Sequence, residues 1–331
     1  MTELQFDGRV YIVTGSGQGI GAEYALALAH RGARVVVNDI GTGLLGDGSS
    51  QGPAREMVAR IEEAGGTALA NTDSVATVEG CQAVVGASIA AYGRLDGVIH
   101  NASIHPPSAP VADFVDDDLE RTLGVHLYGA FYLTRAAWPH LARVGGRLLY
   151  ITSAVGLWGH RSIAPYAAAK TGVVGLARVV AHDGEDRGVR ANVLSVGAAT
   201  RASVRSLDDA PAAREWWSQY LAPNFVAAAG TWLVHPDCPA NGRIFNAFGG
   251  RMSEIVFAET EGHTQLSWTA EQYRDQFDAI MRRDHLHAMD RSSEWQSLGL
   301  DSLLGAGAHQ LDVDEGLPEF LRVIVKPEAR A

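Results

Sequence analysis

Three side chains in the middle of the sequence stand where they could pass a proton: Ser153, Tyr166 and Lys170. Tyr166 and Lys170 lie four residues apart in an Ala-rich stretch, 164–181, whose apolar positions recur at helical spacing. The spacing predicts a helix with both residues on one face. A phenol with a pKa near ~10 gives or takes a proton poorly at neutral pH. A cation beside it favours the phenolate and draws that pKa toward the working range. Ser153 follows Arg147–Thr152, an apolar run that reads as a buried strand. Its hydroxyl is therefore expected at the carboxyl end of a strand, where open α/β sheets bind their ligands.

The elements that must hold this trio begin at the N-terminus. The apolar run Arg9–Val13 leads into Thr14, then Gly15, Gly17, Gly19, Ile20 and Gly21, then a helical stretch from Ala22 to Arg31. Strand, glycine loop and helix together form the context in which glycines mean phosphate. The backbone can approach a pyrophosphate there, and the first helical turn offers unpaired N–H groups at the positive dipole end. The pattern is Gly-x-x-x-Gly-x-Gly with Gly17 added, and Ile20 stands where a plain Gly-x-Gly-x-x-Gly would carry its third glycine. A second strand, Arg34–Asn38, ends at Asp39, 18 residues past Gly21. A carboxylate about 20 residues past such a loop accepts hydrogen bonds from the adenosine ribose and repels a 2′-phosphate, so NAD is the expected cofactor. Residues 41–53 are a long Gly/Ser-rich loop. Helix 54–64, strand 67–70, helix 77–92, strand Asp96–His100, a helix over roughly 117–138 and strand Val189–Ser195 follow, and Gly242–Phe248 reads as the last strand.

These motifs resemble the short-chain dehydrogenase/reductase family. The resemblance spans about residues 7–250 by motif. It implies an α/β fold, a Rossmann-type doubly wound parallel sheet with helices on both faces, over residues 1–250, plus a C-terminal extension over 251–331. It implies reversible hydride transfer between nicotinamide and a secondary alcohol carbon, with Tyr166 exchanging the hydroxyl proton, Ser153 positioning the oxygen, and Lys170 keeping the phenol acidic while holding the nicotinamide ribose. By the same resemblance Asp73 and Ser74 meet the adenine edge, Asn101 and Ala102 belong to the cofactor cleft, and Gly197 and Thr200 meet the nicotinamide carboxamide. Four positions depart from the family pattern. His100 and Ser103 flank Asn101-Ala102 in place of the usual residues, and Val196 replaces a proline, which is expected to loosen its turn. His126 stands where most members carry an asparagine that holds a water between the lysine and solvent. An imidazole also donates and accepts hydrogen bonds, so His126 is read as a substitute and a fourth catalytic residue.

Val125-His126-Leu127, Thr134–Leu141, Val36–Asp39 and Asn71–Val75 resemble one branch of the family. That branch is the (3R)-hydroxyacyl-CoA dehydrogenase part of the type 2 multifunctional enzymes, with its bacterial relatives. A 3-hydroxyacyl thioester is the first expected substrate. A steroid, terpenoid or other bulky alcohol is the second, because substrate loops vary freely on this fold. A dinucleotide-binding protein without chemistry is the third. Trp158, Trp216 and Trp217 are candidate walls of a substrate pocket, though the last two could equally be helix packing, and Arg201 and Arg205 are candidate partners for CoA phosphates. The family commonly pairs through its two long helices, so a homodimer or homotetramer is expected.

Composition excludes other classes. A net charge of −11 argues against nucleic acid as a partner, since phosphate backbones need a basic face. Two cysteines far apart, Cys81 and Cys238, give neither a disulfide framework nor zinc spacing. The N-terminal stretch lacks the regions of a signal peptide, and no apolar run approaches ~18–20 residues, so no membrane partner and a cytoplasmic place are expected. From about Arg251 charge increases. Thr269–Gln272 reads as a helix start leading to Met281, and His285-x-His287 lacks a third ligand, so no metal is expected.

Overall fold

The computed structural model describes residues 3–205 and 207–308. The chain divides into two compact units, one ending at Ile255 and the next beginning at Val256. The first is built on an eight-stranded sheet in the order β3-β2-β1-β4-β5-β6-β7-β8. Its strands are β1 Val10–Thr14, β2 Arg34–Asn38, β3 Thr67–Asn71, β4 Gly97–His100, β5 Arg147–Thr152, β6 Arg190–Gly197, β7 Ile244–Phe248 and β8 Arg251–Ile255. All neighbours pair in parallel except β7 with β8.

Period-2 alternation sends successive side chains to opposite faces, and both faces are covered. Tyr11, Val13, Val35, Val37, Leu149 and Ile151 join one core with the helices α1 (Gly19–Ala29), α2 (Gly52–Glu63) and, late in the chain, Pro223–Leu233. Ile12, Val36, Leu148 and Tyr150 face the other way, onto α3 (Val78–Tyr92) and two long helices further along. This two-sided burial explains why the strands read as unbroken apolar runs. It is a Rossmann-type doubly wound sheet, with its crevice between β1 and β4 where the strand order reverses.

Three expectations change. Phe248 does not end the sheet: Gly249 and Gly250, both at positive φ, turn the chain back into antiparallel β8. The predicted helix over 117–138 is α4 (Asp116–Leu123) and α5 (Gly129–Val144) joined by a π turn, Gly124–Tyr128, centred on His126. Val196 does not loosen a turn, because unlike a proline it keeps its N–H and stays in β6, opposite Ala247 of β7. The remaining helices of this unit are α6 (Ala154–Trp158), α7 (Ala164–Asp183), α8 (Arg201–Arg205), α9 (Pro211–Tyr220) and α10 (Pro223–Leu233).

In the second unit, β9 (Ala258–Thr260) pairs antiparallel with β10 (Leu286–Ala288). The helix predicted from Thr269 starts with a reciprocal capping box, Thr269 with Gln272, but divides at Gln276 into α11 (Ala270–Asp275) and α12 (Phe277–Ile280). His287 Nε2 lies 2.7 Å from Glu261 Oε2. Among the described residues no three His, Cys, Asp or Glu side chains gather as a metal site would require.

Candidate active site

A cavity of about 810 Å³ follows the carboxyl ends of the strands. At one end lies the glycine loop. Gly15 and Gly19 have positive φ, and Gly19 opens α1 with nothing within 4 Å of where a Cβ would stand. The N-cap Gln18 gives no side-chain hydrogen bond, so the first-turn amides face the cavity without a protein acceptor from that cap. This open cradle fits the pyrophosphate of a dinucleotide. Gly17 and Gly21 do not line the cavity. A Cβ on Gly17 would press on Asp39 and Pro53, and one on Gly21 would overlap the Gly15 carbonyl, so these two glycines permit the loop's own packing. Ile20, Asp39, Asp73, Ser74, Asn101, Ala102, Gly197 and Thr200 all line the cavity.

Asp39 accepts the Gly17 N–H and the Gly41 N–H, each at 2.8 Å, which fixes its carboxylate at the end of β2. Asp73 Oδ2 accepts from Asn71 Nδ2 at 2.7 Å. Asn101 and Ala102 bind the loop itself. Their backbone N–H groups both donate to Thr14 Oγ1 at 3.0 Å, and Asn101 Nδ2 donates to the carbonyls of Thr14 and Gly15.

The other end holds Ser153, Tyr166 and Lys170. Ser153 caps α6, its Oγ accepting from Val155 N at 3.2 Å. Tyr166 is buried on α7 and its hydroxyl faces those of Ser153 and Ser103. Lys170, one turn later, is 2 % exposed; its Nζ donates to the Ile151 carbonyl at 2.7 Å and stands 5.6 Å from the Tyr166 ring centroid. The helical spacing therefore places all three as expected. Their electrostatics differ from the simple expectation, since burial disfavours charge on both partners. It raises the Tyr166 phenol, against the pull of the hydrogen bonds from Ser153 and Ser103, and lowers the Lys170 ammonium to about 7.

Histidines surround this pair. The His105 ring stacks on Tyr166 with centroids 4.8 Å apart, and His126 meets the same ring edge-on at 5.2 Å. His126 is fully buried, and its Nε2 lies 2.9 Å from the Ile104 carbonyl and 3.2 Å from the Ile104 N–H. One nitrogen can donate to the first or accept from the second, not both. In either tautomer the imidazole clamps segment 103–105. Only Nδ1, buried without a protein partner among the described residues, is left for the water-holding role that the resemblance implied.

On the π turn the His126 carbonyl accepts from His100 Nε2 at 3.1 Å, while His100 Nδ1 faces Thr14 Oγ1 at 3.5 Å. Burial and the Lys170 charge lower His100 and His105 to about 4 and His126 well below its ordinary value. His100 thus ties the end of β1 to the π turn as a neutral imidazole.

Of the proposed pocket walls, Trp217 lines the cavity and packs edge-on to Phe248 at 6.2 Å. Trp158 and Trp216 do not. Trp158 ends α6 at 71 % exposure, and Trp216 pairs with Tyr220 one turn along the outer face of α9. Arg201 lines the cavity, whereas the Arg205 side chain lies outside the described residues. Sequence reasoning missed Ser103 and His105 as site residues. Both follow the carboxyl end of β4, the one signal that marked them.

The short chain dehydrogenase family model matches residues 9–211. The chain is a short-chain dehydrogenase/reductase. This short-chain dehydrogenase is 38 % identical over 255 residues to a short-chain type dehydrogenase/reductase of Mycobacterium tuberculosis, covering 77 % of this chain and 87 % of that one. It is 36 % identical over 282 residues to the mouse peroxisomal multifunctional enzyme type 2, covering 84 % of this chain but only 37 % of the mouse protein's length. The solved full-length multifunctional enzyme type 2 of Drosophila melanogaster superposes with a TM-score of 0.74 at 27 % identity, over 91 % of this chain and 50 % of that one. A 7α-hydroxysteroid dehydrogenase solved with NADH and a 7-oxo bile acid superposes at 0.66, with 27 % identity over 76 % of this chain and 98 % of that one.

Proposed function

We propose that this oxidoreductase interconverts a secondary alcohol and a ketone with NAD, and that its substrate is a 3-hydroxyacyl thioester of the CoA type. The observation that carries the reading is Tyr166, set beside Ser153 and Lys170 at one end of a cavity whose other end is the open first turn of α1 and Asp39. Gly15, Gly19 and Ile20 would hold the pyrophosphate, Asp39 the adenosine ribose, Asp73 and Ser74 the adenine edge, and Gly197 and Thr200 the carboxamide. NAD, when bound, supplies the hydride acceptor and a positive ring near the phenol. Ser153 and Ser103 position the substrate oxygen against the Tyr166 hydroxyl. Tyr166 accepts the alcohol proton in oxidation, and Lys170 steadies the phenolate and keeps the proton moving. His126 holds the Ser103–His105 segment in place for that transfer.

The multifunctional relatives favour the hydroxyacyl substrate, and Arg201 at the cavity edge supplies a cation for its phosphates. The apolar Trp217 wall and the hydroxysteroid dehydrogenase neighbour favour a steroid as the second reading. Tyr128 and Phe131 near the start of α5 and Val179 on α7 are exposed apolar side chains suited to a helix-pair homodimer or homotetramer. A cytoplasmic place is our reading from the two free, buried cysteines, although several relatives bear the word peroxisomal in their names. Among the described residues no helix is long and apolar enough to cross a membrane.

Formation of reduced dinucleotide is measured over 3-hydroxyacyl-CoA esters and hydroxysteroids, each with NAD and NADP. The reading expects turnover of the thioesters with NAD; turnover of steroids alone, or a preference for NADP, overturns its finer part.

A further inference from the structure

His105 has no place in the chemistry just described, yet it lies against the reacting phenol. Its ring covers Tyr166 at 4.8 Å and 23°, it lines the cavity, and neither ring nitrogen has a hydrogen-bond partner among the described residues. Its nitrogens are not sealed off as His126 Nδ1 is. Its backbone is held from both sides. The His105 N–H donates to the Leu44 carbonyl at 2.8 Å, on the Gly-rich loop that begins at Asp39. His126 clamps the preceding residue, Ile104. Arg121 on α4 holds the same loop through the Leu45 carbonyl. A ring that lines the cavity on a pinned backbone, with nitrogens that no described residue engages, is suited to read a ligand.

We infer that His105 is a specificity-determining residue that hydrogen-bonds a second polar group of the substrate, a carbonyl oxygen two carbons from the alcohol carbon that Tyr166 deprotonates. The inference rests on the hydroxyacyl reading above and deepens it. Stacking at 4.8 Å sets the imidazole beside the phenol, so that one short substrate chain could place its hydroxyl on Tyr166 and its carbonyl on His105. A neutral imidazole can donate there without placing a second cation beside Lys170. A plain secondary alcohol has no group to answer it.

The test compares wild type, His105→Phe and His105→Gln on three substrates: 3-hydroxybutyryl-CoA, the 3-hydroxybutyryl thioester of N-acetylcysteamine, and 2-pentanol. Phe keeps a ring on Tyr166 and removes the nitrogens; Gln removes the ring and keeps a donor. His105→Phe is expected to lose roughly three- to tenfold in kcat/KM on both thioesters. Its loss on 2-pentanol should be clearly smaller than on either thioester, with NADH affinity within a few-fold of wild type and Gln recovering part of the thioester loss. An equal loss on all three substrates would assign His105 to placing Tyr166 alone, and no loss on the thioesters would remove it from recognition; either overturns the inference. If wild type turns over 2-pentanol but neither thioester, the hydroxyacyl reading itself fails. If wild type prefers the thioesters and His105→Phe keeps that preference, only the His105 inference fails.

Discussion

The two ends of the cavity are made of different materials. The loop end is backbone: Gly15 and Gly19 at positive φ, an uncapped helix start, and one carboxylate fixed by two amides. The α7 end is buried ionisable side chains: Tyr166, Lys170, His100 and His126, all under 10 % exposed, with His105 stacked against them. The first end can bind an anion with fixed dipoles and needs no protonation change. The second is where a change of protonation is proposed, and burial has moved each of its groups away from its ordinary pKa. Binding and chemistry are thus separable, and the two ends should fail in different ways.

The largest effect is expected at the chemical end. Tyr166→Phe should lower kcat about 10²–10⁴-fold while leaving NADH affinity, followed by fluorescence titration, within a few-fold of wild type. Next is Asp39→Asn, which should shift the NAD over NADP ratio in kcat/KM by roughly 10–100-fold toward NADP. At saturating cofactor its kcat should be close to wild type; a collapsed kcat would show the two ends to be one unit. Gly21→Ala, forcing a Cβ into the Gly15 carbonyl, should destabilise the fold by about 1–3 kcal/mol in chemical denaturation and weaken dinucleotide binding.

A further effect sharpens the comparison through pH. His100 and His105 have folded values of about 4, below the usual 6.5 of an unfolded histidine. Between those values the unfolded chain binds protons that the folded chain refuses, so stability present above pH 6.5 is lost as pH falls toward 4. The loss is on the order of 3 kcal/mol per histidine. His100→Asn should flatten that slope in denaturation curves at pH 7, 6 and 5. Asp39→Asn, at the backbone end, should leave this His-dependent part of the slope in place.

Much of this arrangement was legible because it rests on local spacing. The i, i+4 step from Tyr166 to Lys170, the strand before Ser153 and the glycine loop before α1 are each set by a dozen residues, and each stands as expected. What escaped reading depends on distant contacts. Only its place after the end of β4 marks His105, between Ile104 and two prolines, and the ring it covers comes from α7, far along the chain. The π turn at His126 interrupts a pattern that reads as one helix, and the contacts made there, His126 with Ile104 and its carbonyl with His100, join residues distant in sequence. The tuning of Lys170 was likewise hidden, because sequence shows the neighbour but not the depth of burial.

The most direct test follows a single atom. A 3-hydroxyacyl thioester carrying deuterium on its alcohol carbon is incubated with NAD and either wild type or Tyr166→Phe, and the reduced dinucleotide is weighed by mass spectrometry. The account predicts deuterium on the cofactor from wild type, formed about 10²–10⁴-fold more slowly by the variant, although the variant still binds NADH. Deuterium transfer by Tyr166→Phe at the wild-type rate, or oxidation by wild type with the label lost to water, would contradict it.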